Sequence, residues 1–242
     1  MITHERGYLI PAFDNDSVSY SQLANRLADS IWKFHPTANV KILTNADLPQ
    51  TSVTGQALDS FVYALSPFRQ TIKLEADMLV ASAIDHWWTL FEHRDVVVST
   101  GCRNYYNNQS QSRFYRKIFD NNNLPDVYNA VTYWRVSRTA KEFFTLTQDI
   151  FQNWKEYKKL LRFPDDEPTT DLVYAMAAQI VGPELVTLPF ASYPKIVHMK
   201  KHIVNTRTDN WTQELIWELD PLRIQTYAQW GIFHYQVKTW MP

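Results

Sequence analysis

Residues 66–80 of the chain read SPFRQTIKLEADMLV, and this stretch decides the fold. Its middle, Thr71–Leu74, alternates polar and apolar side chains, which predicts a half-buried β-strand. Two carboxylates, Glu75 and Asp77, follow that strand directly, and three apolar residues come next. Acidic residues at the carboxyl end of a strand lie at the edge of an α/β sheet, where ligands bind. Their oxygen atoms suit Mg²⁺ or Mn²⁺.

The scarcity of glycine limits how a nucleotide could be bound. The chain has only five glycines, and no two are close enough for a dinucleotide fingerprint or a P-loop. A protein of this composition that binds a nucleoside diphosphate must therefore use a cation and basic side chains. A diphosphate would in turn complete the coordination of a cation that has only two protein carboxylates.

The overall composition is that of a globular α/β protein. The chain has 242 residues, 45% of them hydrophobic, and 24 basic against 25 acidic residues give a net charge of −1. This balance supplies no global field for nucleic acid or membranes. The single cysteine, Cys102, excludes an internal disulfide and suits a reducing compartment. No apolar run has the length of a membrane span. We therefore expect a soluble, cytoplasmic protein.

The hydrophobic pattern predicts alternating strands and helices within one domain, residues 1–242. A strand at residues 7–11, a helix with the apolar face Leu23, Leu27, Ile31 and a strand at residues 40–44 form a predicted parallel βαβ unit. Further strands are predicted at 71–74, 95–99, 130–136, 185–188 and 195–198. Further helices are predicted at 84–91, 139–161, 170–180 and 210–219. Residues 224–242 are rich in aromatic side chains and give no clear prediction.

The run from Pro67 to Val80 resembles the acidic Asp-x-Asp motif of nucleotide-sugar glycosyltransferases with the GT-A fold, with Glu75 where the family usually has Asp. The opening segment, residues 7–13, is similar to that of small transferases of tailed bacteriophages. The resemblance implies a mixed, mostly parallel central sheet flanked by helices. It also implies a donor such as a UDP-sugar bound by about residues 1–100, an acceptor bound by about residues 101–242, and Mn²⁺ or Mg²⁺ on Asp77 and Glu75.

The resemblance also implies roles for residues outside the motif. His198, which ends a short apolar strand, stands where retaining members bring a histidine to the metal; a satisfied core histidine is the alternative. The nucleotide-sugar site would include Ala12, Phe13, Asn15, Arg69, Asn129, Lys200 and Lys201. Turn chemistry alone also explains Asn15. The catalytic carboxylate that faces the acceptor or donor sugar would be Asp171, with Asp166 and Glu167 as rivals, although acids at a helix N-terminus are also favoured by the helix dipole.

The acceptor is predicted from residues 103–123, where aromatic and cationic side chains alternate with polar ones. This composition is typical of surfaces that bind single-stranded nucleic acid. The acceptor-binding residues would be Tyr105, Tyr106, Arg113, Tyr115 and Arg116. A hydroxymethylated pyrimidine in phage DNA is the preferred acceptor, while saccharide, lipopolysaccharide and protein acceptors stay open. So do two other classes: a binding module without turnover, and a metal-dependent hydrolase that uses Glu75, Asp77 and His198.

Overall fold

A computed structural model describes residues 2–50, 53–101, 103–104, 117–164, 166–188, 196–199, 214–220, 223–228 and 231–235. For residues 103–104, 196–199, 214–220, 223–228 and 233, the description covers the backbone. None of the helices in these ranges is long and apolar enough to cross a membrane.

The described part of the chain forms eleven strands, eight α-helices and two 3₁₀ helices. The strands are β1 His4–Pro11, β2 Val40–Leu43, β3 Phe68–Leu74, β4 Met78–Val80, β5 Val96–Thr100, β6 Arg103–Asn104, β7 Val127–Arg135, β8 Ile196–Met199, β9 Glu214–Asp220, β10 Arg223–Ala228 and β11 Ile232–Tyr235. The helices are α1 Tyr20–Phe34, α2 Val62–Leu65, α3 His86–Phe91, α4 Lys117–Asn121, α5 Arg138–Gln152, α6 Trp154–Leu161, α7 Thr170–Val181 and α8 Pro183–Val186. Two 3₁₀ helices span Asn45–Asp47 and Gly55–Phe61.

A central sheet of five strands has the order β2-β1-β3-β7-β5. Strand β1 is parallel to both β2 and β3, whereas β7 is antiparallel to β3 and to β5. Four strands therefore run in one direction and β7 runs against them. The predicted mixed, mostly parallel sheet is confirmed, and so is the βαβ unit of β1, α1 and β2.

A second sheet starts where the central strand β3 ends. Its order is β4-β11-β8-β6, with β11 antiparallel to β4 and parallel to β8. Only residues 75–77 separate β3 from β4. The acidic triplet is therefore the link through which the chain passes from one sheet to the other.

Hydrophobic residues fill both faces of the central sheet. Along β1, Tyr8 and Ile10 pack on the side of α1 and α3, and Leu9 packs on the side of α5 and α7. Along β7, Tyr133 and Trp134 divide in the same way. This alternation follows from the two-residue period of a strand, and it gives the helix-sheet-helix layering of an α/β domain.

Three predicted elements are wrong. Residues 185–188 were expected to form a strand, but Pro183–Val186 is a helix, because Pro183 occupies its first turn, where a missing N–H costs nothing. Residues 210–219 were expected to be helical, but Glu214–Asp220 pairs with β10 in an antiparallel hairpin. The single helix predicted at 139–161 is interrupted at Asn153, whose φ and ψ of −105° and 26° are not helical.

Candidate active site

The acidic triplet is fixed by backbone hydrogen bonds to both sheets. The N–H of Glu75 donates to the carbonyl of Ala130 in β7 at 3.1 Å. The carbonyl of Asp77 accepts from the N–H of Tyr235 in β11, also at 3.1 Å. The backbone of Glu75 is therefore tied to the central sheet, and the backbone of Asp77 is tied to the smaller sheet. Any group that bridges the two carboxylates lies at the junction.

A histidine from β11 joins the two carboxylates. Nε2 of His234 lies 3.0 Å from Oδ1 of Asp77 and 3.4 Å from Oε2 of Glu75. One ligand atom from each of the three residues falls within 4.8 Å of the others. His234 and Asp77 are buried, at 3% and 7% exposure, whereas the side chain of Glu75 keeps 34%. The cluster thus opens to solvent on the side of Glu75.

The surroundings of Glu75 disfavour its negative charge. Burial raises the pKa of Glu75 to about 7, and His234 opposes this shift while the charges of Asp77 and Asp171 add to it. A carboxylate whose charge is disfavoured by burial and by neighbouring acids is stabilised when a cation takes the place of the proton. The electrostatics of the cluster therefore favour binding of a positively charged species.

The second ring nitrogen of His234 contacts Tyr128 of β7. The Tyr128 hydroxyl forms a short hydrogen bond with Nδ1 of His234. If Nε2 binds a cation, Nδ1 must carry the ring proton and donate it to the Tyr128 oxygen. A hydrogen bond of this kind fixes both the tautomer and the direction of a metal-binding imidazole.

The donor set fits a divalent cation. Ligand atoms about 2.1 Å from an octahedral ion lie about 3 Å apart when they are adjacent. The distances of 3.0 and 3.4 Å from His234 to the two carboxylates are close to this spacing. Two oxygens and one imidazole nitrogen suit Mn²⁺ better than Mg²⁺, which prefers oxygen ligands alone.

A buried polar network lies behind the cluster. Lys73 Nζ, which is almost fully buried, forms an ion pair with Asp59 at distances of 2.8 and 3.0 Å to its two carboxylate oxygens. Asp59 Oδ2 also accepts from the hydroxyl of Tyr174 at 2.5 Å and from Nδ2 of Asn129 at 3.2 Å. The Asp59 carboxylate therefore joins β3, β7, α7 and the 3₁₀ helix Gly55–Phe61.

Asp171 is positioned by this network. The backbone N–H of Asn129 donates to Oδ1 of Asp171 at 2.8 Å. The side chain of Asn129 is 1% exposed, and its oxygen accepts from Thr132 at 2.7 Å. Asp171 lies in the first turn of α7, and its charge contributes to the pKa of Glu75. The structure therefore brings Asp171 to the border of the cluster, with Asn129 as its support.

Two predicted residues lie away from the cluster. Arg69 is at the start of β3, six positions before Glu75, which corresponds to about 20 Å along an extended strand. Its guanidinium lies 3.3 Å from Glu5, and both side chains are exposed. The side chain of Asp166 is 97% exposed and forms an ion pair with Lys158 at 2.6 Å. The structure brings neither residue to the carboxylates.

The loop after β1 is held by its own hydrogen bonds. Ala12 is buried, and its N–H donates to the carbonyl of Leu43. Phe13 is partly buried against the core. Oδ1 of Asn15 accepts from the N–H groups of Ser17 and Val18, which forms an Asx turn. The loop follows the carboxyl end of β1, the strand beside β3, and so lies on the same edge of the sheet as Glu75.

Other predicted residues fall outside the described part of the chain: Lys200, Lys201, Tyr105, Tyr106, Arg113, Tyr115 and Arg116. For His198 the backbone is described. It lies in β8 directly opposite His234 of β11, so that the two Cα atoms are register partners on neighbouring parallel strands.

Sequence reasoning missed His234. The two histidines stand in similar contexts, IVHM at residues 196–199 and IFHY at residues 232–235. A short apolar run that contains a histidine was therefore the available signal, and it occurs twice. The pairing of β11 with β4 is what points to His234, because it sets this histidine opposite Met78, the residue after Asp77.

Comparison with solved structures identifies the fold. Mouse xyloside xylosyltransferase 1 is similar over 99% of this chain and 100% of its own, with a TM-score of 0.57 and 9% identity. An active-site mutant of LgtC aligns over 95% and 87%, with a TM-score of 0.49 and 13% identity. The glycosyltransferase GlyE of Streptococcus pneumoniae aligns over 76% of this chain at 8% identity, and the chain spans 45% of its length. No family model and no curated protein sequence matches. The fold is that of the GT-A glycosyltransferases.

We predict that the chain binds one Mn²⁺ at this cluster and that Asp77→Asn weakens Mn²⁺ binding by more than about 100-fold. Loss of a residue that only supports a metal ligand already lowers metal affinity about 10–100-fold, and Asp77→Asn alters a ligand itself. His234→Ala should weaken it as well. The measurement is titration of free Mn²⁺ by electron paramagnetic resonance, with circular dichroism as the test of folding.

Asp166→Asn is the matched control for this prediction. It removes one carboxylate from an exposed position that does not touch the cluster. Equal Mn²⁺ affinity in the wild-type chain, Asp77→Asn and Asp166→Asn would show that the cluster is not a metal site.

We also predict that Mn²⁺ affinity falls as the pH drops through about 7, because a cation must then displace a proton from Glu75. The sign follows from the raised pKa: above it the carboxylate is free to coordinate, and below it the proton competes. The measurement is the same titration at about pH 6 and about pH 8. Glu75→Gln should give weaker binding with a shallower pH dependence, and an unchanged wild-type affinity at the two pH values would contradict the prediction.

Proposed function

We propose that the chain is a metal-dependent glycosyltransferase that moves a sugar from a nucleoside diphosphate sugar to a hydroxyl acceptor. The observation that carries this proposal is the cluster of Glu75, Asp77 and His234 at the junction of the two sheets in a GT-A fold. In such a fold the carboxyl ends of the parallel strands form the ligand-binding edge. The fold by itself is compatible with other functions, so the proposal depends on the cluster.

The donor is proposed to be a UDP-sugar, held by the loop after β1 and by a divalent cation on the cluster. Glu75, Asp77 and His234 would hold Mn²⁺ or Mg²⁺, and Tyr128 would keep His234 in the correct tautomer. The bound cation would neutralise the charge that develops on the leaving diphosphate. Lys200 and Lys201 are proposed to contact the same phosphates.

Asp171 is the proposed catalytic acid-base residue. The N–H of Asn129 donates to one of its oxygens, which fixes the direction of the carboxylate. If the reaction inverts the anomeric centre, Asp171 would accept the proton of the attacking hydroxyl. If the configuration is retained, the leaving phosphate would accept that proton, and Asp171 would orient a sugar. The closeness of a histidine to the carboxylates favours retention by family resemblance.

Two other functions predict different behaviour at the same cluster. A hydrolase would release sugar from the donor at a rate that an acceptor does not change. A binding module without turnover would bind the nucleotide sugar and leave it intact. Transfer that requires both an acceptor and a divalent cation separates the glycosyltransferase from both.

We predict that UDP and Mn²⁺ together raise the melting temperature by more than the sum of their separate effects. The cation and the diphosphate complete each other's coordination, and ligands that bind only the folded state stabilise it by mass action. The measurement is a thermal-shift series with UDP, Mn²⁺, both, and UDP with a chelator, repeated on Asp77→Asn. An equal shift with UDP in the presence of chelator would contradict the metal-bridged site.

The acceptor is proposed to be a hydroxymethylated pyrimidine of phage DNA. What supports this choice is the alternation of aromatic and cationic side chains at residues 103–123. A base extruded from the duplex would be needed, because its hydroxyl group must reach a sugar at the sheet edge. A saccharide is the second candidate for the acceptor.

The triple variant Arg113→Ala, Arg116→Ala, Lys117→Ala is predicted to raise the KM for modified DNA at least about tenfold, with donor hydrolysis unchanged, because phosphate contacts supply most of the affinity for DNA. A matched control removes three exposed cations elsewhere: Lys33→Ala, Arg138→Ala, Lys141→Ala. Transfer to a simple saccharide, with none to hydroxymethylcytosine DNA, would discard the DNA acceptor and keep the glycosyltransferase.

A further inference from the structure

A cavity lies at the edge of the central sheet opposite the candidate active site. It has a volume of about 290 Å³ and is enclosed by the amino-terminal half of β1, the turn between α1 and β2, and the start of α3. Arg6 in β1 is the register partner of Gln70 in β3, five residues before Glu75. The cavity and the candidate active site are therefore separated by about 16 Å along the strands.

The walls of this cavity combine apolar and polar surfaces. Phe34, Pro36 and Trp88 supply apolar wall, and Arg6, Thr37 and Asp85 supply polar groups. Trp88 is 6% exposed, and its Nε1 donates to the hydroxyl of Tyr8 at 3.2 Å. A concave surface on which several polar groups converge beside apolar side chains can hold a small molecule.

His35 holds the carboxylate of Asp85 in a fixed direction. The backbone N–H of Ile84 donates to Nε2 of His35 at 3.1 Å, so that Nδ1 carries the proton of the neutral ring. Nδ1 lies 3.0 Å from Oδ1 of Asp85. His35 is buried, while the side chain of Asp85 is 70% exposed. The second oxygen of Asp85 can therefore accept a hydrogen bond from a bound molecule.

Arg6 lines the same space. Its guanidinium lies 5.5 Å from the centre of the Trp88 ring. Among the residues that the structure describes, no carboxylate forms an ion pair with it. The cavity thus offers charged donors from Arg6 and a charged acceptor from Asp85, and their charges cancel.

This balance defines the chemistry of the occupant. An anion would meet Asp85 and a cation would meet Arg6, so a ligand without net charge is favoured. It must both donate and accept hydrogen bonds, because both kinds of partner are present. A nucleobase would need a free aromatic face, but Arg6 covers the ring of Trp88. A sugar, whose hydroxyl groups donate and accept in several directions, meets these conditions.

We propose that this cavity is a binding site for a neutral saccharide, separate from the active site. The site holds its ligand through the guanidinium of Arg6, the carboxylate of Asp85 and the apolar wall formed by Phe34 and Pro36. It does not depend on the proposed transferase activity, because none of its residues belongs to the cluster of Glu75, Asp77 and His234.

The test is saturation-transfer NMR on the full chain, without nucleotide sugar or metal. Maltose, lactose and cellobiose are the neutral probes, and N-acetylneuraminic acid, glucosamine and thymidine are the anionic, cationic and nucleoside comparisons. The same spectra are recorded with Asp77→Asn, which disables the metal cluster. At least one neutral disaccharide is expected to give a signal in both chains.

The double variant Arg6→Ala, Asp85→Ala should weaken that binding at least about tenfold, because hydrogen bonds to charged groups are lost. Arg138→Ala, Glu142→Ala is the matched control, since it removes one exposed cation and one exposed anion from α5. If the first variant fails to fold, Thr37→Trp, which fills the cavity from an exposed turn, replaces it. No signal from any neutral disaccharide, a signal that these variants leave intact, or a stronger signal from thymidine would overturn the proposal.

Discussion

The ion pair of Lys73 and Asp59 is the interaction on which the candidate active site depends. An ammonium group that is almost fully buried must be paired, since an isolated charge in the interior costs several kcal/mol. Asp59 meets this requirement and also binds the hydroxyl of Tyr174 and the amide of Asn129. Because these partners come from four different elements, the pair requires that β3, β7, α7 and the 3₁₀ helix take up one arrangement. The backbone of Asn129 then holds Asp171, so one buried carboxylate connects the core to the edge where ligands bind.

The sequence was sufficient to predict the centre of the fold. The strand at residues 71–74 and the βαβ unit at residues 7–44 are predicted from local hydrophobic periodicity, which can be recognised in a single sequence. The acidic triplet could be located because it directly follows such a strand. Its first member is confirmed at the end of β3, and its last member directly precedes β4. What the pattern could not show is that the chain changes sheets at this point, because that depends on pairing with residues far along the chain.

The secondary-structure elements and the histidine that sequence analysis missed share a physical cause. Residues 214–220 have a composition compatible with either a helix or a strand, and the hairpin with β10 decides between them. Likewise, His198 and His234 follow similar apolar residues, and the register of β11 with β4 places His234 beside Asp77. Long-range pairing overrides local preference in strands, since β propensity depends on neighbours across the sheet. The periodicity of a sequence does not show which strands will be neighbours in the sheet. The burial of Asn129 was equally out of reach, because its amide is engaged by Asp59, seventy positions earlier.

The location of His234 in β11, the last described strand, affects the order in which the cluster is made during synthesis. Asp77 and His234 are 157 positions apart. At about 5–20 residues per second, a ribosome needs about 8–30 s to make that interval. For this time the two carboxylates are present in the nascent chain without their histidine, and β4 has no β11 to pair with. The three-residue cluster therefore forms only after nearly all of the described fold has been synthesised. A nascent chain cannot bring these three side chains together before β11 has paired with β4.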